Sequence, residues 1–175
     1  MKEEGVSEVL GFVLILMTCV IFLSLFTAAV LPNMIKESEM QDTQSTFMQF
    51  SQMKADMDTL CLADAAGVRR DAVFTESKTA RLSLSYGKPV GVFREAVLTY
   101  ESENILTEKL RLVLCKDGIA KNGRLVLPSS CRFAVNPADT AEQMKTGTDF
   151  RIEYTYLGPF TDHGAEWHLF SMRIL

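Results

Sequence analysis

Residues Gly5 to Leu31 read GVSEVLGFVLILMTCVIFLSLFTAAVL, and how they are read decides the fold. From Val9 to Leu31 there are 23 consecutive residues without a charge. As a helix rising about 1.5 Å per residue they span about 35 Å, enough to cross the hydrocarbon core of a bilayer. Two apolar surroundings suit such a run, lipid or the packed core of a helical filament. Both favour the same side chains. Glu8 stands at the edge of the run, and everything beyond Leu31 is carried on it.

Pro32 is the first break. It has no amide donor, so it either kinks the helix or opens a second one at its own first turn. Residues 32–66 then carry an amphipathic pattern. Met40, Phe47, Phe50, Met53, Met57 and Leu60 recur at spacings of three, four and seven, while Lys36, Glu37, Glu39, Gln41, Asp42, Lys54 and Asp58 fall mostly elsewhere. The Met and Phe stripe is expected to pack under the domain that follows rather than to form a ligand groove. Ala65-Ala66-Gly67 supplies the stop, with Gly67 as the C-cap.

Across residues 67–175 the period changes to two. Ala80, Leu82, Leu84 and Tyr86 alternate with Thr79, Arg81, Ser83 and Ser85, and Gly87-Lys88-Pro89 closes that strand. Strands follow at residues 96–101 and 106–115, and the turn dipeptides Asp117-Gly118 and Asn122-Gly123 set off two short ones. Residues 132–135, 150–156 and 167–174 complete a set of about seven. The fold class expected is α+β: a long N-terminal helix, hydrophobic and then amphipathic, followed by an antiparallel β-rich head, sandwich-like or a curled sheet.

The residues at the start of the run carry a resemblance. Gly5-Val6-Ser7-Glu8-Val9-Leu10-Gly11, followed at once by a long apolar helix, resembles the class III signal peptide of archaeal type IV pilins and related pilin-like proteins. The resemblance covers residues 4–31. It implies that a prepilin peptidase cuts after Gly5, so that residues 1–5 are a leader and the mature chain begins at Val6. It also implies residues 6–31 as a transmembrane or filament-core helix, with the C-terminal domain outside the cell. The chain departs from the pattern where Glu3 and Glu4 replace the basic residues that usually precede the cleaved glycine. An ordinary secretory signal, cut near Thr27-Ala28-Ala29, is the other reading of the same run.

A carboxylate three residues into a mature hydrophobic terminus is costly in lipid unless it is paired. If cleavage frees the amine of Val6, a neighbouring subunit can present that cation to Glu8 as helices stack. Alternatively, Glu8 lies in water at the interface, favoured by the helix dipole. Gly11, Ser24, Ala28 and Ala29 are small enough for close helix contact, although their spacing is not a GxxxG repeat.

The formal net charge is −4, and residues 1–31 account for −2 of it through Lys2 against Glu3, Glu4 and Glu8. No basic patch points to nucleic acid. Of the four cysteines, Cys19 lies in the apolar run, while Cys115 and Cys131 flank a hairpin and are a pair that an oxidising compartment could bridge, although spacing alone does not supply the distance a disulfide requires. No CxxC and no His/Cys cluster is present, so structural zinc is not expected, nor any other metal or cofactor. His163 is read on a loop and His168 on a strand, so that the two need not face each other, and with Asp162 and Glu166 they are read as solvated residues rather than a metal site. No GxSxG, HExxH, phosphate-binding loop or dinucleotide fingerprint occurs, and the chain is not expected to be an enzyme.

Two functions follow as expectations. In one, the chain is a pilin-like structural subunit that partners other pilin subunits, is processed by prepilin peptidase and assembles through its helix into a cell-surface filament. In the other, it is a permanently anchored, single-pass surface protein of the cell membrane whose β-sandwich head is a binding module.

Overall fold

The computed structural model describes residues 3–175, with side chains from Glu8 onward. The chain divides into two compact units, one holding the helix as far as Met40 together with Ile105–Thr107, the other holding Gln41–Asn104 and Glu108–Leu175.

In the first unit, helix α1 (Glu3–Leu25) passes through a π turn (Phe26–Val30) into helix α2 (Leu31–Leu62). The residues from Val9 to Leu31 are exposed apart from half-buried Gly11. This is the one helix in the described residues long and apolar enough to cross a membrane. Its two threonine hydroxyls bond to the helix's own backbone. The Thr18 hydroxyl donates to the Leu14 carbonyl at 2.8 Å and the Thr27 hydroxyl to Leu23 at 2.9 Å, which suits an apolar solvent.

The π turn answers the question raised by Pro32. Proline cannot donate an amide hydrogen, and its ring crowds the carbonyl four residues back. Widening the preceding turn makes room: the Leu31 N–H reaches Phe26, five residues back, and the Asn33 side chain donates to the Ala29 carbonyl at 2.8 Å. The helix therefore continues through Pro32. Further along, buried Glu39 gathers the backbone of Ile105–Thr107.

In the second unit, Phe50, Met53, Met57, Leu60 and Cys61 of α2 are buried against the sheet, with Phe47 partly so. The stripe read from the sequence thus packs as expected below Met40, which is itself 60% exposed. Helix α2 stops at Leu62, four residues before the expected end. Asp64, at φ 45°, takes the left-handed position where glycine was expected, its N–H bonding Cys61 and that of Ala65 bonding Leu60. This pair of bonds is the Schellman arrangement, and Asp is one of the few side chains that tolerate it.

Eight strands follow: β1 (Arg69–Val90), β2 (Phe93–Ser102), β3 (Leu110–Cys115), β4 (Gly118–Lys121), β5 (Arg124–Pro128), β6 (Phe133–Val135), β7 (Gln143–Asp162) and β8 (Ala165–Ile174). All pair antiparallel except β6 with β8. They form one sheet in the order β1-β7-β8-β6-β2-β3-β4-β5, and β1 also pairs with β2, so the sheet curls until it closes on itself. β2 gives one edge to β1 and divides the other between β6, at Arg94–Glu95, and β3, from Leu98 on.

The alternation seen in sequence is the burial pattern itself. Leu82, Leu84, Leu98, Tyr100, Leu112, Leu114, Ile152, Tyr154 and Tyr156 all face the core with at most 1% exposure. Phe50 from the helix enters among the rings, 5.0 Å from Phe74 and 5.9 Å from Tyr100. Gly118 is constrained by both conformation and space. It lies at φ 123°, and a Cβ there would fall 2.0 Å from the Leu127 carbonyl oxygen across the β4–β5 pair.

Candidate functional site

Two parts of the chain carry chemistry. The first is the N-terminal helix. Gly5 and Val6 lie in α1, and their side chains are outside the described residues. Glu8 is exposed on the same helix. At Gly11 a Cβ would meet nothing within 4 Å, so no contact within this chain demands a glycine there.

The second is a cluster that the sequence did not announce. Cys61 sits in the last turn of α2, Cys131 in the segment entering β6, and His168 on β8. Their ligand atoms, two sulfurs and a ring nitrogen, all lie within 4.8 Å of one another. Cys61 is 6% exposed and His168 8%, and Cys131 is half-buried. Backbone pairing fixes the geometry: the His168 N–H donates to the Arg132 carbonyl at 2.9 Å, which brings the residue beside Cys131 into register with β8. The Ser129 hydroxyl donates to the Cys131 carbonyl at 2.6 Å and holds the approach to it.

A phenol completes the group. The Tyr156 hydroxyl lies 3.0 Å from His168 Nδ1 and donates to Asp64 at 3.3 Å. The phenol thus ties the His168 ring to Asp64, donating to Nδ1 in one imidazole tautomer and accepting from it in the other. A cavity of about 10 Å³ lies against Cys61 and Cys131, bordered by Asp58, Leu114 and Phe170.

Burial pushes the Cys61 thiol far above its ordinary range, with neighbouring Cys131 adding to the effect. Burial likewise raises Cys131, helped by Asp58, and raises the Tyr156 hydroxyl, helped by Cys61 and Asp64. Both thiols are therefore held as neutral S–H groups. They are not poised as nucleophiles, because the thiolate is the reactive form.

Cys115 and Cys131 are both free thiols in this structure. The Cys115 thiol turns toward the Gly118 carbonyl at 3.6 Å, while Cys131 turns toward Cys61. His168 is a buried strand residue, not a solvated one. His163 keeps the loop position expected of it, with a side chain 95% exposed at the β7–β8 turn. The expectation that no His/Cys cluster exists is also corrected, since three segments far apart in sequence bring one together.

No protein-family model matches this chain, and no match was found among curated proteins or solved structures.

Proposed function

We propose that this chain is a pilin-like structural subunit of an archaeal type IV pilus-like surface filament, held in the membrane by its N-terminal helix until that helix assembles with those of other pilin subunits. The observation that carries the reading is the exposed, uncharged helix from Val9 to Leu31, directly preceded by the Gly5-Val6-Ser7-Glu8 sequence. An exposed apolar surface of this extent calls for lipid or for protein partners. In the filament the partners are copies of the same helix, and a Glu8 carboxylate paired with a freed Val6 amine sets the axial register between neighbours.

In this reading the β-rich domain faces outward at the cell surface, prepilin peptidase acts at Gly5-Val6, and neither nucleic acid nor a catalytic site is involved. The permanently anchored surface protein shares the same helix and differs at one bond, and the acidic pair Glu3-Glu4 before Gly5 favours it. N-terminal sequencing of the protein from its native membrane separates the two. A chain beginning at Val6 supports the filament subunit, and a chain beginning at Met1 removes it.

A further inference from the structure

We infer that Cys61, Cys131 and His168 form a zinc site, with two thiolates, one imidazole nitrogen and a water as ligands. In a tetrahedral zinc site with Zn–S bonds of about 2.3 Å, the two sulfurs stand about 3.8 Å apart. Donors already within 4.8 Å of one another reach that geometry by small side-chain rotations. The donor types suit a borderline-soft cation and exclude calcium and magnesium, which take oxygen ligands.

Two further observations point to a cation here rather than to a simple sulfur pair. The imidazole converges on the two sulfurs, which a Cys61–Cys131 bridge would not require. The ring is oriented by the Tyr156 hydroxyl, 3.0 Å from Nδ1 and itself bonded to Asp64, in the way that outer-shell partners orient metal-binding histidines. Binding is a substitution without redox change. Two Zn–S bonds form, the two thiol protons leave to solvent, and the imidazole donates its lone pair. Two thiolates neutralise the dication, so the buried centre carries no net charge.

The proposal is independent of how the N-terminal helix is used. The test takes the full-length chain in detergent micelles, with thiols reduced, and titrates it with cobalt(II) as a spectroscopic substitute for zinc, followed by zinc competition. The expected result is one metal per chain, tetrahedral ligand-field bands and a thiolate-to-cobalt charge-transfer band, displaced by zinc. Cys61→Ser and Cys131→Ser lose the charge-transfer intensity of one sulfur each, and Cys115→Ser keeps all of it. Tyr156→Phe retains the spectrum and weakens zinc binding by about 10-fold to 100-fold. The wild-type spectrum decides the matter even if a variant fails to fold: reduced chain that takes up cobalt without a thiolate band overturns the site. So does native chain isolated with Cys61 and Cys131 joined as a disulfide and no zinc.

Discussion

The Glu39 carboxylate accepts hydrogen bonds from both the backbone N–H of Thr107, at 3.0 Å, and the Thr107 hydroxyl, at 3.1 Å. The same carboxylate takes the N–H of Ile105 at 2.6 Å and of Leu106 at 3.1 Å, and it is fully buried. Three successive amides thus converge on one anion, which replaces the water that an exposed loop would use.

Glu39→Gln keeps one acceptor oxygen and turns an NH₂ group toward amides that are already donors. Loss of a charge-assisted bond of about 1.5–3 kcal/mol is expected to speed amide exchange at Ile105–Thr107 by about tenfold or more. Hydrogen-exchange mass spectrometry on the full-length chain reads this directly. Unchanged protection at those amides would remove the anchoring role.

Glu76 is expected to make the protein less stable as pH rises through the weakly acidic range. It sits where β1 bulges against β7, 7% exposed, and accepts from the Thr46 hydroxyl at 3.0 Å and from Tyr100. Burial raises its pKa above the ordinary 4.5, with Asp42 adding to the shift while Thr46 and Lys78 oppose it. The folded state therefore holds this proton more tightly than the unfolded chain does. Its contribution is fully present below about 4.5 and is lost as pH climbs through the raised folded value. Glu76→Gln keeps an acceptor for both hydroxyls and cannot ionise. Melting temperatures across pH should show the wild type losing ground to the variant over that window, and parallel curves would contradict the assignment.

The core depends on the ring that α2 inserts into the sheet. Phe50→Ala is expected to cost about 3–5 kcal/mol, because Phe50 is fully buried and touches Phe74 and Tyr100. Met40→Ala, at an exposed position of the same helix, should stay within about 0.5 kcal/mol. Denaturant titration in micelles compares the two, and similar losses would mean that the helical stripe is not the contact it is taken to be.

Under the filament reading, Glu8→Ala leaves membrane insertion intact, since it only removes a charge from the edge of an apolar run. Filaments recovered from sheared supernatants should fall severalfold. Undiminished filaments together with normal insertion would show that register is set elsewhere.

Much of the fold could be read from the chain because period and burial coincide in it. Leu82 and Leu84, Leu112 and Leu114, and Ile152, Tyr154 and Tyr156 each alternate as written and each face the core. What escaped the reading lies where polar residues occupy strand positions. The first half of β1, from Arg69, runs into Glu76, Ser77 and Lys78 at a bulge, and β7 opens with the polar stretch Gln143–Gly147. Ladder bonds to neighbouring strands hold those segments extended regardless of their side chains. The Cys61, Cys131 and His168 cluster was hidden for another reason. Its members lie on a helix end, a loop and a strand, and only the pairing of β6 with β8 brings two of them together. The one local hint was a histidine at an inward-facing strand position, His168, in the alternation from Trp167 to Ile174.

The π turn at Phe26–Val30 also changes how the long helix must be counted. It adds one residue to a single turn, and one residue is about 100° of rotation on an α-helix. Side chains before and after it are therefore out of phase with any unbroken count of 3.6 along the chain. A contact stripe on α1 and one on α2 follow separate clocks. Deleting a single residue between Phe26 and Val30 would synchronise them, and would set the ring of Pro32 against the carbonyl that the wider turn now lets it clear.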